Sequence, residues 1–251
     1  MQAYYYYLVY GWIAIAIVSF PYLLKQVAPY GRHSSEKWGW MIPNKLGWVL
    51  MELVSPVVFS IFFFSGSLQL TFTSYCFWFL WVLHYFNRSI VFPLRTKTDG
   101  KKMPVMIAVS ASFFNIINGF LNGYFFGNIG GNYGIEFFAS PQFIIGLIVF
   151  VAGAFINIKS DNILLALRKP DETGYKIPQG FLFKYISCPN LFGEIIEWFG
   201  FALLTWSLPG LSFAIWTAAN LTPRAIHHHH WYKEKFANYP KERKALLPGL
   251  V

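Results

Sequence analysis

The chain has 251 residues, 55% of them hydrophobic and 21% aromatic but only 12% charged, about half the charged share of an ordinary soluble domain. With a mean hydropathy of +0.42, that balance excludes a disordered chain and points to a membrane protein, so the net charge of +9 is to be read loop by loop rather than as a nucleic-acid signal. Two cysteines, Cys76 and Cys188, provide neither a disulfide framework nor a thiolate metal cage.

Apolar stretches of about 17 to 25 residues predict an all-α integral membrane protein with seven transmembrane helices. The first, Tyr4–Leu24, opens on the aromatic belt Tyr4 to Tyr7 and has no basic leader and no small-x-small cleavage site, so it is expected to stay in the mature protein. The second, Trp48–Gly66, carries Glu52 about one turn in. The third, Leu68–Phe92, runs the other way and ends in His84-Tyr85-Phe86-Asn87-Arg88. Tyr85 therefore comes to the depth of Glu52, roughly 10 Å below the inner boundary at about 1.5 Å per residue, where a carboxyl and a phenol could meet. The fourth, Met103–Phe126, sets Asn115, Asn118 and Asn122 on one face at i, i+3, i+7. The fifth, Pro141–Ile158, has Asn157 and Asp161 sharing a face at its inner end. The sixth, Leu191–Ser207, begins with Glu194 and Glu197 at i and i+3, and the seventh runs from Leu211 to about Ile226. Leu208-Pro209-Gly210 reads as the tight turn of a hairpin between these last two.

The loops orient the bundle. All twenty Lys and Arg residues fall between 25 and 45, 88 and 102, 159 and 184, or 224 and 244, and the connectors at 66–68, 127–140 and 208–210 have none. Seven spans place every basic group on one face, which the positive-inside rule makes cytoplasmic, with the N-terminus outside and the C-terminus cytoplasmic. No repeat and no Pro/Gly/Ser linker divides the chain, which reads as one domain over 1–251.

Ionisable groups at membrane depth are functional candidates by default. A buried Glu52 must be protonated or hydrogen-bonded to a partner such as Tyr85. Glu194 and Glu197 have a second explanation, stabilisation by a helix N-terminus, and the asparagines can be interhelical glue as readily as ligand contacts. The connector from Lys159 to Asn190 carries Arg168, Lys169, Tyr175 and Lys176, basic groups beside an aromatic that suit phosphate and a stacked base. His227 to His230 form an internal run in which adjacent side chains diverge around a helix, so they do not close one tetrahedral metal site. A cationic hydrogen-bonding wall for phosphate or carboxamide groups is the stronger reading, and no metal is expected. No G-x-G-x-x-G or G-x-x-x-x-G-K-[ST] occurs, and Gly127-Asn128-Ile129-Gly130-Gly131 lies on the outer face, which excludes a Rossmann fold and a P-loop.

Several runs resemble the steroid 5α-reductases: Asn157-Ile158-Lys159-Ser160-Asp161, Leu167-Arg168-Lys169-Pro170, Gly174-Tyr175-Lys176-Ile177-Pro178-Gln179-Gly180, Cys188-Pro189-Asn190 and Gly193-Glu194-Ile195-Ile196-Glu197-Trp198. Arg224 with its histidine run and Tyr232, and the segment from Tyr239 to Pro248, belong to the same pattern. In the N-terminal half the matches are Tyr30-Gly31-Arg32-His33, Trp48 with Glu52, and the run His84 to Arg88. The chain departs from vertebrate members at Asn87, at Lys176 and in its fourth histidine.

The resemblance implies NADPH-dependent reduction of the Δ4 double bond of a hydrophobic 3-oxo steroid. It makes Glu52 and Tyr85 the donors to the 3-keto oxygen. It places Arg88, Lys101, Asn118, Asn157, Asp161, Arg168, Tyr175, Lys176, Asn190, Glu194, Arg224, His228 and Tyr232 around the cofactor, with Trp48 and Phe114 along the steroid. Membrane lipid is the other expected partner, nucleic acid is not one, and the membrane is bacterial inner membrane or endoplasmic reticulum with the cofactor site facing the cytoplasm. Rival readings are a membrane enoyl or sterol reductase or methyltransferase of related fold and, in a different class, a proton- or cation-coupled transporter using Glu52 and Glu194.

Overall fold

The computed structural model describes residues 2–27, 29, 31–34, 36–98, 100–131, 133–167, 172 and 174–247. Among them the chain runs through α1 (Gln2–Lys25), α2 (Asn44–Phe64), α3 (Phe72–Phe86), α4 (Phe92–Arg95), α5 (Val105–Tyr124), α6 (Pro141–Ala166), α7 (Pro189–Thr205) and α8 (Leu208–Lys235). Two π-helical turns extend this pattern: Asn87–Val91 fuses α3 to α4, and Phe125–Ile129 prolongs α5. The only sheet among the described residues pairs β1 (Met41–Pro43) with β2 (Lys102–Pro104), antiparallel, with Met41 opposite Pro104. The helical class expected from the sequence is therefore correct.

Among the described residues four helices are long and apolar enough to cross a membrane: α1, α2, α5 with its π-helical extension, and α6. The 15 residues of α3 and 17 of α7 reach only about 22 and 25 Å at about 1.5 Å per residue, short of a hydrocarbon core of about 30 Å. α8 has 28 residues but ends in four consecutive histidines and three charged groups.

The chain divides into two compact units, one of Met1–Val9 with Ala28–Ile144 and one of Tyr10–Val27 with Ile145–Val251. In the first, α2 and α5 lie backbone to backbone. Gly119, Gly123 and Gly127 follow one another at four-residue intervals, and a Cβ on any of them would meet main-chain oxygens of α2, at Ser55, Phe59 and Phe62 respectively. Small residues in this spacing are what lets two apolar helices approach so closely. Phe59, Phe63, Phe77 and Trp81 fill the interior, with the Phe59 and Trp81 rings stacked at 4.9 Å. The buried indole of Trp81 donates Nε1 to Ser55 Oγ at 3.2 Å, and that of the half-buried Trp78 donates to Ser60 Oγ at 2.9 Å.

In the second unit the same device joins α6 to α7. Gly146 and Gly153 face α7, Gly193 and Gly200 face α6, each pair seven residues apart, and a Cβ at any of the four would run into the other helix's backbone. Trp198 is buried against Phe201 and Phe213, and Trp216 Nε1 donates to the Trp12 carbonyl at 2.9 Å. The turn between α7 and α8 lies earlier than the sequence suggests. Trp206 takes the left-handed conformation (φ 47°), Ser207 caps α8 by accepting from the Gly210 amide, and Leu208-Pro209-Gly210 is already the first helical turn. Proline is a helix breaker only in the interior; in the first turn its missing N–H costs nothing.

Candidate functional site

The first unit gathers its polar groups where α2, α3 and α5 meet. Asn115 is buried and its Nδ2 donates to the Met51 carbonyl of α2 at 2.7 Å, while the Tyr85 hydroxyl of α3 lies 3.5 Å from Asn115 Oδ1. Glu52 follows Met51 on α2 and is half-buried; Tyr85 is buried. The two proposed donors are thus tied, one through its neighbour's carbonyl and one through its hydroxyl, to one asparagine. Tyr85 is further held by Trp81 (ring centroids 5.6 Å) and His84 (5.1 Å). Ser89 Oγ donates to the Tyr85 carbonyl at 2.6 Å across the start of the π-helical turn, a distortion that often marks a functional stretch of helix.

That turn also aims Arg88. The residue is buried, its guanidinium carbon 5.3 Å from the Trp48 ring centre and 4.7 Å from that of Phe92, and its carbonyl accepts from Trp48 Nε1 at 3.0 Å. A residue expected at the cofactor and one expected at the steroid are therefore in direct contact. Phe114 is half-buried on α5. Asn118 and Asn122 turn their Nδ2 atoms back to the carbonyls of Phe114 and Asn118, at 2.8 and 3.0 Å, whereas Asn115 crosses to α2. The asparagine amide reaches the i−4 carbonyl of its own helix as easily as a neighbour's, so a shared face did not mean a shared role. Lys101 is exposed beside β2.

The second unit builds its cluster from α6 and α7, each of which presents polar groups four residues apart. Asn157 Nδ2 donates to the Asn190 carbonyl at 2.9 Å and to Glu194 Oε2 at 3.3 Å, and Asn190 Nδ2 donates to Asp161 Oδ1 at 3.1 Å. Asn157 and Asp161 are buried. On α8, Arg224, His228 and Tyr232 occupy i, i+4 and i+8 of one helix and so share a face. In the long connector, Tyr175 meets Trp231 edge to face at 4.8 Å, and Lys176 is exposed and paired with Glu172 at 2.6 Å. Arg168, the leading cation of the sequence reading, lies outside the described residues, as do Lys169 and Tyr30.

Two features escaped the sequence. Ser187 Oγ stands 2.7 Å from His229 Nδ1, 2.6 Å from the Tyr239 hydroxyl and 3.0 Å from the Lys244 carbonyl. All three contacts are satisfied when Ser187 gives its one proton to the carbonyl and both Tyr239 and the Nδ1–H of His229 donate to its lone pairs. Burial, then the charges of Lys233, His230, Lys244 and Arg243, push His229 down to about 4, and burial chiefly raises Tyr239. The second is Arg243, 2% exposed, which donates Nη1 to the Pro178 carbonyl at 3.2 Å and lies 3.5 Å from Gln179 Oε1 through Nη2, so the C-terminal segment holds the long connector. Arg243 reads in the sequence as one more basic group of the cytoplasmic C-terminal stretch, and Ser187 carries no signal at all; the pairing of Ile186 with Lys244, invisible in periodicity, brings both inward. The histidines do diverge, as expected: His227 Nε2 sits 3.1 Å from the Leu23 carbonyl, and His229 turns to Ser187.

Helices of membrane length that enclose buried carboxylate, amide and phenol groups define a membrane protein with internal polar sites. Residues 101–251 match the family model of 3-oxo-5-alpha-steroid 4-dehydrogenases. The chain is 42% identical to the steroid 5-alpha-reductase of Gossypium hirsutum over 227 residues, 88% of this chain and 87% of that protein. It is 38% identical to 3-oxo-5-alpha-steroid 4-dehydrogenase 1 of Bos taurus over 242 residues, 95% and 93% of the two chains, and 39% identical to its Homo sapiens counterpart over 223 residues, 88% and 85%. The chain belongs to the steroid 5-alpha-reductase family, oxidoreductases of steroid metabolism.

Proposed function

We propose that the protein reduces the Δ4 double bond of 3-oxo-Δ4 steroids with NADPH, by hydride transfer to C5, with Glu52 and Tyr85 polarising the 3-keto oxygen. The observation that carries this reading is that buried Asn115 joins the buried Tyr85 hydroxyl to the carbonyl of Met51, the neighbour of half-buried Glu52, inside a unit otherwise packed with aromatic rings. As a hydride reaches the β-carbon of the enone, negative charge grows on the distant carbonyl oxygen, and donors aimed at that oxygen lower the barrier. A phenol and a protonated carboxyl carry no charge beforehand, which suits an apolar site. Trp48 and Phe114 line the steroid.

The second unit fits a reduced dinucleotide by its chemistry. The amides of Asn157 and Asn190, interleaved with the carboxylates of Asp161 and Glu194, offer donors and acceptors together, as a carboxamide and ribose hydroxyls require. Arg224, His228 and Tyr232 share a helix face that suits phosphate. Tyr175 and Lys176 complete the proposed cofactor set of this unit, Arg168 is assigned the additional phosphate of NADPH, and Arg88, Lys101 and Asn118 are proposed as cofactor residues from the family resemblance. The cofactor, when bound, supplies the hydride; the protein's part is to hold it and to protonate or hydrogen-bond the developing oxyanion.

The basic residues support seven spans with the N-terminus outside and the cofactor groups toward the cytoplasm, in a bacterial inner membrane or the endoplasmic reticulum, the whole chain serving as one reductase. Anaerobic incubation of purified protein with NADPH and a panel of enones, followed by mass spectrometry, tests the activity. A gain of two hydrogens by 3-oxo-Δ4 steroids is the expected result. Reduction of a different alkene alone would favour an enoyl or sterol reductase, and failure to bind NADPH would reopen the transporter reading.

A further inference from the structure

We infer that Asn115 is a positioning residue for the reaction, setting the direction of the Tyr85 hydroxyl and fixing it relative to Glu52. The inference rests on the role proposed above for Tyr85. Asn115 is 5% exposed, and its two amide atoms face different helices, Nδ2 to the Met51 carbonyl at 2.7 Å and Oδ1 to the Tyr85 hydroxyl at 3.5 Å. A main-chain carbonyl only accepts, so the amide nitrogen must face Met51 and the amide oxygen must face Tyr85. Toward Asn115 the phenol therefore donates.

The two bonds differ in strength. At 2.7 Å the tie to Met51 is short, and the close approach of α5 to α2 at Gly119, whose Cβ would stand 2.9 Å from the Ser55 carbonyl, leaves it little freedom. Pro56 of α2 lacks the N–H that would otherwise bond to the Glu52 carbonyl, so the helix is weakened where Asn115 grips it. At 3.5 Å the contact to Tyr85 is long and weak. A substrate oxygen at ordinary hydrogen-bond distance takes the phenol proton away from Asn115 easily, while the ring stays aimed. Asn115 thus holds the hydroxyl without competing for it.

The test is a double-mutant cycle of Asn115→Leu with Tyr85→Phe, reading kcat and KM for a 3-oxo-Δ4 steroid and KM for NADPH. Asn115→Leu is expected to lower kcat tenfold or more with KM for NADPH changed less than twofold, and to cost twofold or less once Tyr85 is already Phe. Losses that multiply in the double variant overturn the inference, whereas a Tyr85→Phe enzyme of wild-type rate would overturn the role of Tyr85 itself. Asn115→Asp serves if Asn115→Leu fails to fold. A protonated carboxyl reproduces the amide's pattern, one donor for Met51 and one acceptor for Tyr85; a carboxylate has no donor and draws the phenol proton more strongly. Its kcat relative to wild type should fall as pH rises through the carboxyl's ionisation. A ratio below one-tenth at every pH overturns the inference.

Discussion

At the scale of single residues, the half-buried Glu52 carboxyl and the buried Tyr85 phenol make the sharpest demand. If Glu52 and Tyr85 act only as charge develops on the substrate oxygen, Glu52→Gln and Tyr85→Phe each lower kcat tenfold or more, at least about 1.4 kcal/mol of transition-state stabilisation, and leave the NADPH dissociation constant nearly unchanged. Steady-state kinetics beside a cofactor titration separates the two quantities, and wild-type turnover in either variant removes that residue from the mechanism. His229 makes a different demand. Its proton-binding constant is lowered from the ordinary 6.5 to about 4, so the unfolded chain takes up the proton more readily than the folded one. The stabilisation is fully present above pH 6.5 and is lost as pH falls from there toward 4. His229→Asn, which keeps a donor near the Nδ1 position for Ser187, should flatten the fall in melting temperature across that window. An unchanged fall would place the acid sensitivity elsewhere.

At the scale of elements, apolar length was enough to locate every long helix, because a membrane span has to be long and apolar whatever its partners, but not the ends of α6 and α8, which run on to Ala166 and Lys235, past the apolar stretches that closed at Ile158 and near Ile226. What eluded the sequence depended on partners. The π-helical turn after Tyr85 leaves no mark in apolar periodicity, and Pro209 reads as a break until Ser207 is seen to cap the helix ahead of it. Asn115, Asn118 and Asn122 were legible as one polar face, yet their division into one interhelical bond and two intrahelical ones depends on how near α2 comes. The glycines that set this nearness looked unremarkable singly. Gly153→Leu should therefore do double damage, since its side chain would meet the Glu197 backbone, part α6 from α7 and break the Asn157–Glu194 contact. A loss of about 2–4 kcal/mol of stability with weakened NADPH binding is expected from thermal unfolding and titration. Gly11→Ala, which meets nothing within 4 Å, is the control and should stay within about 0.5 kcal/mol. Equal effects from the two would mean that close approach is not what the α6 glycine provides.

At the scale of the whole molecule, charge and helix length argue for different topologies. Among the described residues four helices satisfy the length and apolarity of a span, and an even number of crossings would leave both ends of the chain on one side. With α1 crossing by its length, the basic residues support an odd number instead, since keeping 25–45, 88–102, 159–184 and 224–244 together while leaving 66–68, 127–140 and 208–210 on the other side requires α3, α7 and α8 to cross as well. Short helices manage this by local thinning of the bilayer or by snorkelling ends, at fractions of a kcal/mol per Å, and α3 gains length through Asn87–Val91 and Phe92–Arg95. Single cysteines placed at Ser67, Asn128, Gly174 and Asn238 discriminate the alternatives, with the wild-type Cys76 and Cys188 as the labelling blank. In intact cells a membrane-impermeant thiol reagent should label positions 67 and 128 when the chain sits in a bacterial inner membrane made accessible from outside, and positions 174 and 238 only after lysis. In sealed microsomes the pattern reverses, because their outer surface is the cytoplasmic one. Labelling of 67 and 174 from the same side would sink the seven-span arrangement, and with it the reason for placing the Asn157–Asn190 cluster within reach of a soluble cytoplasmic cofactor.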